Sequence, residues 1–286
     1  YSTLYEQMQA LAKSCPNRVA IVEPDRQTTF SQLFAQSERL AAHFKQNGMQ
    51  AGDRLALWLP NGIEWVQCFL ACAQIGVTVL SVNTRFKSHE VHDIIERGRA
   101  TWLIFWPDFK GIAFDQILAD VPTSVMTRLK GQLTLDDIKH YLNTPIDAVA
   151  PHDDHGVLTF TTSGTTSLPK FVLHTQAGLL RHGHAIARSL NYDQACCILA
   201  SAPFCGAFGF ATLAGGLFNG YTVACEAVSD PDSLRSLIHN HRVTHTYANN
   251  ALILQILQTA GDPHDFDNCR LFGFASFAPA QDELFD

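Results

Sequence analysis

The sequence predicts an α/β fold built on largely parallel sheet, and three observations carry that expectation. Short apolar runs of strand length alternate with longer segments of helical period, from Arg54 through Phe105 and again from Val157 to Phe274. Hydrophobic residues make up 47% of the 286 residues and charged residues only 16%, enough apolar side chain for a substantial core. No internal repeat, heptad or low-complexity tract interrupts the alternation.

The elements follow in order. Leu4, Met8 and Leu11 set a helical spacing over residues 4–13. Residues 19–22 read as a short apolar strand and 28–30 as a second. Ser31 is the expected N-cap of a helix to about residue 46, which stops at Asn47-Gly48. Its apolar stripe is Leu33, Phe34, Leu40, Ala41 and Phe44. Residues 54–59 read as strand, Pro60-Asn61-Gly62 as a turn, 63–74 as helix and 77–82 as strand. Ser88 is the expected cap of a helix over 90–97, and 101–105 is strand again. Between 115 and 150, Pro122, Pro145 and mixed polarity predict connecting structure. A strand over 157–161 runs into a hydroxyl-rich loop, then a helix over 176–190 and a strand over 196–201. A glycine-rich helix over 208–218 and a strand over 221–225 come next. The series closes with a helix over 231–239, a strand over 243–247, a helix over 250–259 and a strand over 271–274.

Composition excludes several function classes. Lys plus Arg is 20 against 27 Asp plus Glu, a formal charge of −7, so no generic polyanion-binding surface is expected. Nucleic acid is a poor candidate partner, while a local basic patch stays open. Eight cysteines without paired Cys-x-x-Cys knuckles support neither a disulfide scaffold nor a zinc site. They read as reduced thiols of a soluble, cytoplasmic protein. Tyr1-Ser2-Thr3 does not begin a signal peptide pattern. Residues 65–82 are apolar, but Gln67, Gln74, Gly76 and Thr78 favour a helix followed by a buried strand over a membrane span. Residues 279–286 read as the first turns of an amphipathic helix, so the chain is expected to be a piece of a longer protein.

The segment richest in chemistry runs Phe160-Thr161-Thr162-Ser163-Gly164-Thr165-Thr166-Ser167-Leu168-Pro169-Lys170. Backbone N–H groups, hydroxyls and one ammonium can together wrap a polyphosphate, and Gly164 permits close approach. A Walker loop is disfavoured, because Pro169 replaces its second glycine and Phe171 offers no oxygen to Mg²⁺. A Ser/Thr-rich surface loop with an incidental lysine is the plain alternative.

The loop resembles the phosphate-binding signature of the adenylate-forming superfamily, Thr-Ser-Gly-Thr-Thr-Gly-x-Pro-Lys. Thr162 to Thr166, Pro169 and Lys170 match, while Ser167 and Phe171 stand where glycines are usual. Asn61-Gly62 through Leu80-Ser81-Val82-Asn83 and Ser88-His89-Glu90 also resemble family segments, as do Pro203 to Gly209, Asp230 to Ala251 and Arg270 to Pro279. The resemblance implies two layered αβαβα-type subdomains, one over about 51–180 and the other over about 1–50 plus 181–286. They would form an N-terminal AMP-binding domain truncated before the C-terminal domain.

It further implies activation of a small-molecule carboxylic acid by ATP with Mg²⁺, giving an acyl-adenylate and pyrophosphate. Transfer to CoA or a phosphopantetheine thiol would follow, as in acyl-CoA synthetases and aryl-acid CoA ligases. By that resemblance Thr162, Ser163, Gly164, Thr165, Thr166 and Lys170 hold the phosphates. Ser276, Phe277 and Ala278 line the adenine, and the acid lies near Phe204, Cys205, Phe208, Gly209, Tyr247 and Asn249. Residues 202–215 contain no acidic side chain to hold a substrate ammonium, which favours an aryl or modest aliphatic acid over an amino acid. Cys205 has nothing basic beside it and reads as an inert pocket residue. His174, His182 and His184 lack zinc spacing, and Asp153-Asp154 reads as a turn.

The family's Tyr-Gly-x-Thr-Glu motif and its C-terminal domain with a catalytic lysine do not occur in the sequence. No catalytic residue is therefore assigned, and the isolated chain is expected not to complete adenylation. Robust acid-dependent ATP–pyrophosphate exchange by the 286 residues alone would overturn that expectation. A non-catalytic nucleotide- or acyl-binding module remains the alternative, given Ser167, Phe171, Ser276 and Phe277 at glycine positions.

Overall fold

The computed structural model describes residues 2–161 and 170–275. Helix α1 (Leu4–Ser14) leads to a hairpin of β1 (Val19–Val22) and β2 (Gln27–Thr29), then to α2 (Phe30–Gln46). Next come β3 (Arg54–Trp58), α3 (Ile63–Ile75), β4 (Thr78–Ser81), α4 (Ser88–Arg97) and β5 (Trp102–Phe105). A small hairpin, β6 (Asp108–Phe109) and β7 (Ile112–Ala113), precedes α5 (Phe114–Ala119), α6 (Thr123–Met126), β8 (Gly131–Thr134) and α7 (Leu135–Asn143). The strands β9 (Gly156–Thr161) and β10 (Phe171–Thr175) flank the hydroxyl-rich loop, and α8 (Gln176–Ser189) follows. The chain continues through β11 (Cys197–Ala200), α9 (Ala207–Leu217), β12 (Thr222–Ala224) and α10 (Pro231–Asn240). It ends in β13 (His245–Asn249), α11 (Asn250–Gln258), a 3₁₀ turn (Pro263–Phe266) and β14 (Leu271–Ala275).

Two six-stranded sheets result. The first has the order β10-β9-β4-β3-β5-β8 and the second β14-β13-β11-β12-β1-β2. Every pairing is parallel except at one edge of each, where β10 and β2 run antiparallel. Strand alternation sends Leu55 and Leu57 into the central core and Ala56 and Trp58 to the outer face, where α4 and α5 cover them. The outer face of the second sheet buries Cys197, Leu199 and Ala224 under α10 and α11. Between the sheets lies a helical layer of α1, α2, α3, α7, α8 and α9, so the layers run α/β/α/β/α. Helix α3 sits at its centre with every residue buried, which explains a sequence that is apolar all round. It stops at Gly76, whose φ of +80° is the left-handed cap that glycine adopts at least cost.

Four details differ from the sequence expectations. The N-cap of α2 is Thr29, not Ser31, because a Thr-x-x-Gln box lets Thr29 accept from the Gln32 amide while Gln32 reaches back. Ser88 is the first residue of α4 and not its cap. The stretch 115–150 is more than connection, since β8 extends the first sheet and α7 packs on α2. Finally, β10 was not expected as a strand.

The edge strand β8 is tied in by charge. Burial alone would push the Asp53 carboxyl up, yet the Lys130 ammonium at 2.6 Å, the Gln50 amide and the Thr101 hydroxyl hold it below its ordinary value. A depressed carboxylate contributes stability fully above the unfolded value of about 4 and loses it as pH falls through the folded one. Asp53→Asn is expected to cost about 1–2 kcal/mol at pH 7, with the difference from wild type shrinking below about pH 4. Urea denaturation at pH 7 and pH 3 checks this.

Candidate functional site

In each sheet the chain turns back across a strand already laid down. From β3 it passes by α3 to β4 on one side, then by α4 to β5 on the other. From β11 it passes by α9 to β12, then by α10 to β13 across β11. At such switch points the loops leaving the carboxyl ends of neighbouring strands diverge and open a crevice, the usual ligand position in open α/β sheets. The loops concerned are Leu59–Gly62 and Val82–Arg85 from the first sheet, and Ser201–Gly206 from the second. The hydroxyl-rich loop leaves the same end of β9.

Asn61 clasps the two switch points together. Its side-chain Nδ2 donates to the Ala202 carbonyl at 2.9 Å and its Oδ1 accepts from the Phe204 amide at 2.7 Å. Beneath this clasp Phe204 meets Trp65 edge-on at 5.6 Å, and Trp65 in turn packs near Phe69 and Phe210. A second link joins the β1–β2 turn to the start of α3. Arg26 pairs with Glu23 at 2.7 Å and engages both oxygens of Glu64, while Glu23 also accepts from the Ile63 amide. Burial raises the Glu23 carboxyl above its usual value despite these donors.

The clasp borders a cavity of about 220 Å³ lined by Asn83, Arg85, Phe109, Ile112, Ser201, Pro203, Cys205, Val228 and Ser229 among others. It adjoins a larger one of about 660 Å³ that reaches Trp106, Lys110 and Lys139 and shares Asn61 and Glu226 with it. Glu226 is held by the Asp230 amide and the Ser233 hydroxyl, and burial raises its carboxyl.

The structure distributes the predicted acid-pocket residues unevenly. Cys205 lines the smaller cavity, and Gly209 lies in the first turn of α9 directly behind it. A Cβ on Gly209 would come within 2.2 Å of the Pro203 carbonyl oxygen, so the close approach of α9 to this loop requires glycine. Phe204 is fully buried in the central core, whereas Phe208 is 37% exposed. Tyr247 packs in a separate cluster with Tyr192, whose hydroxyl donates to that of Tyr247 at 3.0 Å. Asn249 caps α11, its side-chain oxygen accepting from the Leu252 amide. Thr162, Ser163, Gly164, Thr165 and Thr166 lie outside the described residues, as do Ser276, Phe277 and Ala278.

Lys170 is exposed at the end of the phosphate-type loop. The pairing of Thr161 with Phe171 fixes the loop's two ends side by side. Phe171, at a glycine position of the signature, has its ring under the Arg97 guanidinium at 5.7 Å. Asn61, Arg85 and Ser229 were not singled out as site residues from the sequence. The Pro-Asn-Gly turn directly after a strand was the available signal for Asn61, and the other two carry none.

Burial pushes the Cys205 thiol up to about 12, so it is almost wholly protonated at neutral pH. Iodoacetamide at pH 7.5 is expected to label Cys205 slower in the native chain than in urea by roughly tenfold or more, as read by peptide mass mapping. Among the described residues no group of three or more His, Cys, Asp or Glu is placed to hold a metal ion. None of the described helices is long and apolar enough to cross a membrane.

Known proteins resemble this chain in sequence and in fold. The chain is 26% identical over 254 residues to the hybrid PKS-NRPS synthetase apdA of Emericella nidulans, covering 86% of this chain and 6% of that one. It is 26% identical over 263 residues to the 2-succinylbenzoate–CoA ligase of Bacillus subtilis, covering 92% of this chain and 52% of the ligase. The chain thus spans about half the length of the curated CoA ligases it matches. In fold it superposes on the N-terminal domain of FACL13 from Mycobacterium tuberculosis with a TM-score of 0.81 at 24% identity, covering 99% of this chain and 72% of that one. A family model described as AMP-binding enzyme matches residues 8–285, and with the layered fold and the carboxyl-end loops it leads to one conclusion: the chain belongs to the AMP-binding enzyme family.

Proposed function

We propose that the protein containing this chain uses ATP to convert a carboxylic acid to its acyl-adenylate and then passes the acyl group to a thiol, that of CoA or a phosphopantetheine. The observation that carries this reading is the hydroxyl-rich loop ending in Lys170, delivered by a strand pair to the same end of the sheets as the Cys205 cavity. Attack of a carboxylate on the α-phosphate brings two anions together, so the catalytic demand is charge neutralisation and alignment, not a protein nucleophile. Backbone N–H groups, the hydroxyls of Thr162, Ser163, Thr165 and Thr166, and the Lys170 ammonium supply that chemistry. Magnesium belongs with the nucleotide as part of the substrate. Ser276, Phe277 and Ala278 follow β14 and are proposed to border the adenine.

The acid is proposed to be aryl or modest aliphatic. Phe109, Ile112, Pro203 and Val228 give the cavity beside Cys205 an apolar wall facing polar Asn83, Arg85 and Ser201, and its carboxylate Glu226 is engaged by Asp230 and Ser233. An ammonium entering there would lack a free anionic partner. Similarity to a CoA ligase of 2-succinylbenzoate supports this choice, while similarity to a PKS-NRPS synthetase keeps carrier-bound thiols among the acceptors.

The test is ATP–pyrophosphate exchange by the full-length protein over aryl, aliphatic and amino acids. Exchange that depends on an aryl or short aliphatic acid is the expected result, and exchange driven by amino acids alone overturns the substrate assignment. The second reading, a non-catalytic nucleotide- or acyl-binding module, is favoured by Phe171, whose ring under Arg97 anchors one end of the loop. ATP binding with no exchange for any acid selects it.

A further inference from the structure

We propose that the groove at the amino end of the second sheet is a binding site for a phosphorylated small molecule, separate from the nucleotide loop and the Cys205 cavity. The groove has a volume of about 520 Å³, within the range of small-ligand sites. Its walls are the residues that lead into the strands: Arg18 before β1, Tyr221 before β12, His241 and Arg242 between α10 and β13, and Arg270 before β14. Of the candidate-site loops, Ser201–Gly206 leaves the carboxyl end of this sheet, opposite the groove. In a chain of net charge −7, three arginines from three distant segments meet on one groove.

Two of the three guanidiniums are held by partners of different kinds. Arg18 donates from Nη1 to the Gly220 carbonyl at 2.9 Å, which aims the group without neutralising it. Arg270 is steadied by Asp193 at 2.6 Å. Asp267 on the rim offsets part of the charge and is itself engaged by His264. No carboxylate pairs with Arg18 or Arg242 among the described residues. Burial keeps His241 below the usual histidine range, so it contributes a neutral hydrogen-bonding ring.

Arg242 is the most telling residue. It follows the C-cap of α10 with φ at +51°, the left-handed position that glycine fills most easily. An arginine stands where the backbone favours glycine, as Arg99 and Lys110 also do, and in this groove its charge has no acidic partner among the described residues. Three arginines from separate segments line the groove, and guanidinium suits a phosphate dianion because each presents a planar fork of donors to its oxygens. A carboxylate would use one fork and leave the others unmatched. The groove's volume leaves room for an organic part beside Val19 and Tyr221.

The test uses inorganic pyrophosphate as the probe and hydrogen-exchange mass spectrometry of the full-length protein as the readout. Pyrophosphate is expected to slow exchange in peptides spanning residues 17–22, 241–246 and 268–272. The affinity should fall with added salt. Arg242→Gly is the decisive variant, since it relaxes the backbone while removing the guanidinium. It should melt no lower than wild type yet bind at least tenfold more weakly in these peptides. Lys170→Ala should leave their protection unchanged, which keeps this site distinguishable from the nucleotide loop. Protection confined to peptides flanking residues 162–170, no protection at millimolar pyrophosphate, or unaltered affinity in Arg242→Gly each overturns the proposal.

Discussion

In the full-length protein, Lys170→Ala is expected to lower acid-dependent pyrophosphate release by about 100- to 1000-fold, the loss typical for removal of one preorganised charge-stabilising donor. The reasoning starts from the approach of a carboxylate to a polyphosphate that already carries several negative charges. On the proposed reading, the Lys170 ammonium would lie beside the β- and γ-phosphates and stabilise the charge that builds on the departing pyrophosphate. Lys170 is suited to this because β9 and β10 pair from Thr161 and Phe171 onward, so the residue just before Phe171 is held by the sheet. Lys170→Arg should recover only part of the rate, as a planar fork replaces a compact point charge. The measurement is pyrophosphate release with saturating acid and ATP. Unchanged turnover in Lys170→Ala removes Lys170 from the phosphate-binding assignment.

Asn61→Leu is expected to destabilise the chain by about 2–6 kcal/mol, because the part-buried Ala202 carbonyl and the buried Phe204 amide both lose their partner at about 1–3 kcal/mol each. The substitution also separates the two switch points, since Asn61 belongs to the first sheet's turn and its partners follow β11. Urea denaturation followed by tryptophan fluorescence suits this variant, as Trp65 lies under the clasp against Phe204. A midpoint equal to wild type would mean that water satisfies both groups and that the clasp is ornamental.

Long, strongly periodic elements were legible in the sequence, and weak edges were not. The alternation from Arg54 to Phe105 predicted β3 to β5 because both faces of these strands are covered, which requires uninterrupted apolar residues. Strand β8 escaped notice since only Leu133 of its four residues is buried, and prolines surround the segment. Strand β10 escaped for a related reason. It is an antiparallel edge, with Val172 and Leu173 exposed, and the hydroxyl loop before it reads as irregular. In the site, the loop could be read because its order of residue types is unusual. The cavity beside Cys205 could not, as Arg85, Ser201 and Val228 meet only through the crossing of two sheets.

The second sheet is assembled from the two ends of the chain, and this sets an order in time. Val22 pairs with Ala224, about 200 residues later. At translation rates of about 5–20 residues per second, β1 waits roughly 10–40 s on the ribosome for its partner. The strands of the first sheet, β3 to β10, are all made within that interval and pair only among themselves. The β1–β2 hairpin therefore waits with the pairing edge of β1 open, and Ala20 and Ile21, buried in the finished fold, are apolar surface that a chaperone can cover during synthesis.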